Sequence, residues 1–456
     1  MNFFLKQFRK AHPATLLLLS YLVAIGLGTC LLLMPQATVS GSISFIDALF
    51  TATSALCVTG LVVADTGTYF SLFGQGIILV LIQLGGLGIM TFSVFFFLSI
   101  GKKVAFRQRM VMQETFAHMP REDIYRLVSA IFSFTAVAEL VGALLLFIHW
   151  TGEYPLSQAA YMAIFHSVSA FCNAGFALFS NSFMDYRGAL LLNFTVCGLI
   201  ILGGIGFPVI YEIFSKTGAR LEGHVKFSVQ TKTVLLTTCI LIIFGMAILG
   251  VAEHSVSLRD CSFAESLLAA LFQSVTARTA GFNTVHMAAL SNATLGLMIF
   301  LMFIGASPGS CGGGVKTTTF AVLGALTWSR LRRRIRVNMF KKSIPRETVS
   351  RSISLYVLAV GFTGTILALL LLTQQGAATP AASRGQFLEY LFEVVSAFGT
   401  VGLSMGATAK INSCGKILII VMMLIGRVGV LTFSYIIAGA EAKNGIEYAE
   451  ENIMIG

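Results

Sequence analysis

The run Phe50-Thr51-Ala52-Thr53-Ser54-Ala55-Leu56-Cys57-Val58-Thr59-Gly60-Leu61 has three further copies in the chain, at residues 165–176, 272–282 and 392–403. Each copy starts on Phe, passes through small Ser/Thr and Ala residues, and closes on a tetrapeptide ending in Gly before Leu or Phe. The tetrapeptides are Cys57-Val58-Thr59-Gly60, Cys172-Asn173-Ala174-Gly175, Arg278-Thr279-Ala280-Gly281 and Gly399-Thr400-Val401-Gly402. Their glycines stand 115, 106 and 121 residues apart. The whole chain therefore reads as four tandem copies of one unit, at 1–103, 104–216, 217–342 and 343–456, forming one integrated domain.

Composition decides the medium. Apolar residues make up 56% of the chain and charged residues only 11%, about half the charge of a soluble protein, so the chain reads as a polytopic membrane protein. An apolar run at 14–35 is too long for the core of a cleaved leader and reads as the first span. Outer spans are expected at 14–35, 127–150, 234–252 and 353–373, and inner spans at 72–100, 188–214, 294–328 and 417–438. Between each pair lies a shorter apolar segment, at 45–56, 157–171, 262–277 and 385–398, too short to cross a bilayer and therefore re-entrant. The expected fold is all-α: eight spans plus four re-entrant pore helices around a pseudo-fourfold pore, with both termini cytoplasmic. On that threading 23 of the 31 Lys and Arg fall inside, five outside and three in the membrane. This is a positive-inside pattern, and it accounts for the net charge of +11 without nucleic acid. The run Arg330, Arg332, Arg333, Arg334, Arg336, Lys341 and Lys342 is free to meet anionic lipid or an acidic partner.

Four short helices, each delivering a Gly-ended strand, can close a ring of carbonyls that replaces the hydration shell of a cation. The candidate ion-binding residues are Cys57, Val58, Thr59, Gly60; Cys172, Asn173, Ala174, Gly175; Thr279, Ala280, Gly281; and Gly399, Thr400, Val401, Gly402. The short helices would turn their negative C-terminal ends toward the ion. No enzyme chemistry is needed for such a site, and no cofactor is expected in this chain.

Inner spans one, two and four carry the clusters Gly85-Gly86-Leu87-Gly88, Gly203-Gly204-Ile205-Gly206 and Gly426-Arg427-Val428-Gly429. The third is expanded into residues 305–319, with a Pro and a run of glycines that no continuous helix survives. A loop is expected to break that span, with Gly309, Ser310, Cys311, Gly312, Gly313, Gly314, Lys316 and Arg427 as candidate gate residues. Arg278 would repel a cation, so its side chain is expected to turn away from the axis toward Glu139 or Glu393 as scaffold. His166 reads as structural. The eight cysteines contain no CxxC pair, and a Cys261–Cys414 bridge is left open.

Four such repeats, filter glycines in all of them, the Gly-Ala-Ser-Pro-Gly-Ser-Cys-Gly-Gly-Gly-Val-Lys-Thr-Thr-Thr loop and the Arg of the fourth inner span resemble the Trk/Ktr/HKT potassium transporter superfamily. With its first repeat starting almost at residue 1, the chain looks closer to the bacterial KtrB type than to the TrkH type. The resemblance implies potassium uptake at the bacterial plasma membrane, sodium as activator or symported ion, and a homodimer on a cytoplasmic ring of KtrA/RCK-type subunits that bind the regulatory nucleotide. It also implies filter roles for Gly60, Gly175, Gly281 and Gly402, a gating role for residues 309–314, and Arg427 facing that loop. Cys311 departs from the Thr or Ser expected there. Rival readings are a sodium-selective or proton-coupled cation transporter and, more remotely, an intramembrane hydrolase using Ser310 or Cys311, which would need an adjacent base.

Overall fold

The computed structural model describes residues 13–89, 91, 124–218, 227–374 and 385–438. Residues 439–456, most of 88–123 (with Lys102 and Arg107), Arg220, Pro380 and Arg384 lie outside them. Among the described residues the chain is almost entirely helical. The first stretch runs α1 (Pro13–Leu32), α2 (Phe45–Leu56) and α3 (Leu72–Leu87), and the second α4 (Ile124–Trp150), α5 (Leu156–Phe171), α6 (Leu190–Ile205) and α7 (Phe207–Gly218). The third runs α8 (Val229–Glu253), α9 (Phe263–Thr276), α10 (Asn292–Phe303) and α11 (Thr317–Leu331). The last runs α12 (Arg346–Thr373), α13 (Gln386–Gly399), α14 (Ser413–Val428) and α15 (Val430–Ala438). The helices α2, α5, α9 and α13 fall within one residue of the bounds expected for the four short segments.

Local chemistry starts these helices. Ser44, Ser71, Ser228, Ser262, Ser291 and Asn412 each accept a backbone N–H in the first turn of α2, α3, α8, α9, α10 and α14. Ser262 and Glu265 form a reciprocal capping box on α9. After α11 a two-residue-strand hairpin, β1 (Asn338–Met339) with β2 (Lys342–Ser343), turns through Phe340 and Lys341, both with φ above zero, the twist that tight hairpins prefer.

Among the described residues four single helices are long and apolar enough to cross a bilayer: Thr15–Leu32, Val128–Trp150, Val229–Glu253 and Arg346–Thr373. Each packs on the short helix that follows it, α1 on α2, α4 on α5, α8 on α9 and α12 on α13. The helix after each short one packs on the next stretch's short helix: α3 on α5, α6 on α9, α10 on α13, and α14 back on α2. The chain thus closes into a ring, pinned outside the ring's core by the Lys416–Asp47 ion pair at 2.6 Å. Leu22, Val23 and Leu27 of α1 and Leu140, Val141 and Leu144 of α4 face outward, as lipid contact requires.

Three inner spans expected to be continuous are cut. Helix α6 stops at Ile205 and α7 leaves it bent by 95°, with Gly206 between them at φ +100°. Gly429 at φ +99° separates α14 from α15, and Gly88 at φ +82° ends α3. A Cβ at Gly206 would strike the Pro308 carbonyl, because residues 308–309 of the third stretch run against this break. The third span is cut more widely, by the loop 304–316 between α10 and α11. All eight cysteines are free thiols, so Cys261 and Cys414 are unbridged, and Cys261 Sγ accepts from Arg187 at 3.0 Å.

Trp150 is fully buried at the end of α4 against His166, Phe179 and Tyr186. Trp150→Ala is expected to cost about 3–5 kcal/mol, seen as a lower unfolding temperature of the detergent-solubilised protein; an unchanged temperature would refute this packing.

Candidate functional site

The four Gly-ended tetrapeptides meet at one point. In each, the second residue has left-handed backbone, Val58 (φ 56°), Asn173 (59°), Thr279 (75°) and Thr400 (48°), and the fourth is a glycine at φ 85°, 70°, 81° and 94° for Gly60, Gly175, Gly281 and Gly402. A Cβ on Gly60 would collide with the Ala174 carbonyl oxygen, on Gly175 with that of Ala280, on Gly281 with that of Val401, and on Gly402 with that of Thr59. These contacts run in cyclic order and return to their start. Only glycine lets the four strands approach so closely.

The preceding helices are built to stop there. The N–H of Val58 bonds to Ala55 O and that of Thr59 to Ser54 O (3.1 and 2.8 Å); Asn173 with Ala174, and Thr400 with Val401, repeat the pattern. This is the Schellman ending, which ordinarily places glycine at the left-handed position. Here Val58, Asn173 and Thr400 occupy it, and such backbone costs about 1–3 kcal/mol per residue. One hydroxyl per helix offsets part of that cost. Ser54 Oγ and Ser396 Oγ accept from the N–H of Gly60 and Gly402 (3.1 and 3.0 Å), while Ser169 Oγ and Thr276 Oγ1 donate to the carbonyls of Phe176 and Phe282 (2.8 and 2.7 Å). These four residues were not among the expected site residues. Their signal was present, since Ser54, Ser169 and Ser396 each stand six residues before the glycine, and Thr276 five before it in the copy that is one residue shorter.

Loop 304–316 lies against this ring. Gly313 N–H donates to Thr400 Oγ1 at 2.9 Å, and a Cβ on Gly312 would meet Thr279 Oγ1. The Cys311 N–H donates to Gly203 O and that of Ser307 to Gly204 O, both at 3.1 Å. Lys316 Nζ donates to Gly312 O at 2.7 Å. Arg427 donates through one terminal nitrogen to Cys311 O and through the other to Gly85 O. The second and fourth stretches therefore hold the loop directly, and Arg427 links it to Gly85 of the first. Cys311 lacks a hydroxyl, but its backbone makes both bonds, through its N–H to Gly203 O and its carbonyl to Arg427.

The remaining expected residues have clear places. Asn173 accepts from Thr279 Oγ1 at 3.1 Å while its nitrogen donates to the carbonyls of Ala170, Phe171 and Ile200. His166 is fully buried, with Nδ1 on Met162 O (2.8 Å) and Nε2 accepting from Leu178 N (3.1 Å), among Trp150, Phe179 and Phe183. Arg278 departs from expectation. Glu139 is engaged by Gln83 Nε2 and the Cys172 thiol, and Glu393 by Ser404, Met405 N and Thr408. Neither carboxylate meets Arg278, which faces a small cavity among α6, α8 and α9. Each carboxylate already has local donors, which removes any need for the guanidinium. Ser310 Oγ donates to Ser307 O at 2.6 Å and is not bonded to a base.

The family described as TrkH, cation transport protein, matches residues 6–444. The chain belongs to this family. TrkH-family proteins are membrane transporters of the bacterial plasma membrane and not enzymes, so the apolar helices above are membrane spans and the hydrolase reading falls. The chain is 39% identical over 98% of its length to the Ktr system potassium uptake protein B of Vibrio alginolyticus, covering 96% of that protein. It is 37% identical to the protein of the same name from Bacillus subtilis, over 97% of both chains. It is 36% identical over the full length of both chains to the potassium/sodium uptake protein NtpJ of Enterococcus hirae. The crystal structure of the potassium transporter TrkH from Vibrio parahaemolyticus superposes with a TM-score of 0.73 at 20% identity, over 95% of this chain and 86% of that one. That likeness extends to the fold.

Thr400→Val keeps the side-chain shape and removes the acceptor for Gly313 N–H. The lost bond, about 1 kcal/mol, is expected to speed amide exchange in residues 305–315 several-fold, read by hydrogen–deuterium exchange mass spectrometry. Equal protection in the two proteins would mean that Thr400 does not hold the loop.

Proposed function

We propose that this chain takes up potassium through the ring of four glycine strands, and that loop 304–316 below the ring is the gate. The observation that carries the reading is the cyclic contact of Gly60, Gly175, Gly281 and Gly402 with the carbonyl of the next strand. In this reading the four stretches are repeats, 1–103, 104–216, 217–342 and 343–456, with eight spans and four re-entrant pore helices on a pseudo-fourfold axis and both termini cytoplasmic.

The carbonyls of the tetrapeptides take the place of the ion's water. The four short helices add the partial negative charge of their C-terminal ends, about half an elementary charge each, at the point where the ion sheds its hydration. The names of the Vibrio and Bacillus relatives support potassium as the cargo, and that of the Enterococcus relative supports sodium as an activating or symported ion.

The loop obstructs the path because Arg427 and Lys316 hold it under the ring and add positive charge there. Arg427 keeps its charge and donates in several directions at once, so one side chain ties the loop and repels cations. Release of the loop would be the task of a cytoplasmic KtrA/RCK-type ring with its nucleotide, working on a homodimer of this chain. The word "system" in the names of the Ktr relatives supports such a partner. Arg332 stacks on Trp328 at 4.6 Å beside the exposed Leu331 and Ile335, a surface suited to the lipid interface.

Gly60→Ser puts a Cβ against the Ala174 carbonyl and displaces one of the four ligand sets. In proteoliposomes it is expected to lower the potassium/sodium flux ratio at least several-fold; a parental ratio would remove residues 57–60 from the filter. Deleting Gly312, Gly313 and Gly314, or making Arg427→Ala, is expected to raise potassium flux in the absence of any regulatory subunit. A folded loop deletion with flux equal to or below the parent would show that the loop is a packing element and not a gate.

A further inference from the structure

Glycines set the approach of the long helices to the short ones, and they align the stretches with one another. A Cβ on Gly28 would press on Ala52, one on Gly142 on Ser167 and one on Gly245 on Ser274. Ala52, Ser167 and Ser274 each stand two residues after the Phe that opens their copy of the tandem run, and three residues before the glycines come Ile25, Glu139 and Ile242. The backbone docking is the same with or without the carboxyl. Ser167 Oγ donates to the carbonyl of Glu139 at 2.6 Å, and Ser274 Oγ to that of Ile242 at 2.8 Å. On the following helices a Cβ at Gly85, Gly203 or Gly426 would strike the carbonyl of Leu56, Phe171 or Phe398. Two residues before these glycines come Gln83, Ile201 and Leu424.

Glu139 and Gln83 are therefore polar at positions that are apolar in their counterparts. Where the second stretch meets the third, the matching side chains Ile201, Ile242 and Arg278 line one small cavity. Where the first meets the second, Gln83 Nε2 donates to Glu139 Oε2 at 3.2 Å, and the Cys172 thiol donates to Gln83 Oε1 at 3.5 Å and to Glu139 Oε1 at 3.9 Å. Cys172 is fully buried and opens the second tetrapeptide. Gly86 leaves room for its sulfur, which a Cβ there would strike. A carboxyl and an amide in an apolar bundle carry a cost, and Ile25, Ile242, Ile201 and Leu424 fill the same places without it.

We propose that Glu139 and Gln83 are positioning residues for the second strand of the ring. They fix the Cys172 side chain, and with it the carbonyls of residues 172–175, so they set how well the ring distinguishes potassium from sodium. This rests on the filter reading above and assigns to two side chains outside the ring a share of its selectivity.

The test is the ratio of potassium to sodium flux in proteoliposomes, because loss of folded protein lowers both fluxes together and leaves their ratio alone. Glu139→Leu and Gln83→Leu install the kind of side chain that Ile242 and Leu424 supply elsewhere. Each is expected to lower the ratio several-fold, the scale of one lost hydrogen bond. Glu139→Gln keeps an acceptor for the thiol and is expected to stay close to the parental ratio. Cys172→Ala removes the gripped group and is expected to act as Glu139→Leu does, with the double variant no worse than either alone. A parental ratio in either leucine variant overturns the proposal. So does a fall in Glu139→Gln as large as in Glu139→Leu, or additive losses in the double variant. Gly60→Ser measured alongside separates the two readings. If it lowers the ratio while the leucine variants do not, the positioning role fails and the filter stands; if it also leaves the ratio parental, the filter reading fails as well.

Discussion

Four glycine Cα atoms sit where the next strand's carbonyl oxygen leaves no room for a Cβ, and the rest of the architecture follows from holding them there. The approach at Gly60, Gly175, Gly281 and Gly402 is cyclic, so no strand can shift without disturbing two others. Bringing the strands to a common point requires each short helix to stop one turn earlier, and the left-handed residues Val58, Asn173, Thr279 and Thr400 make that stop. Three of these are β-branched, for which such backbone is strained. The strain is sustained by the hydroxyls of Ser54, Ser169, Thr276 and Ser396 and by the closed packing of each second helix on the next short helix. Strain concentrated at one point by an over-determined surround is the usual mark of a working site.

The loop against the ring solves a second problem, that of non-helical backbone inside an apolar helical bundle. Peptide groups there must find partners within the protein. Residues 304–316 find them in the glycine cluster of α6, in Thr400, and in the two cationic side chains that end on Cys311 O and Gly312 O. The same contacts explain why the inner helix of the second stretch breaks at Gly206. The loop backbone at Pro308 and Gly309 occupies the space a straight helix would fill, and Phe207 N–H bonds to Gly309 O at 2.9 Å.

Sequence by itself determined the bounds of the four short helices, which depend on apolar length, and pointed to the four glycines whose strands meet, since that approach depends on the absence of a side chain. It also marked residues 305–319 as a stretch that no continuous helix crosses, since propensity costs of Pro and Gly are local; the break runs over 304–316 and α11 resumes at Thr317. Tertiary structure alone decided what the charges and hydroxyls touch. Arg278 was expected on Glu139 or Glu393, yet Gln83 with Cys172, and Ser404 with Thr408, reach those carboxylates first. The breaks at Gly206 and Gly429 depend on φ near +100°, and a lone glycine in an apolar run reads equally well as close helix packing. Arg427 reaches both Cys311 and Gly85, residues 116 and 342 positions away, and no periodicity along a chain encodes a contact that exists only once the ring has closed.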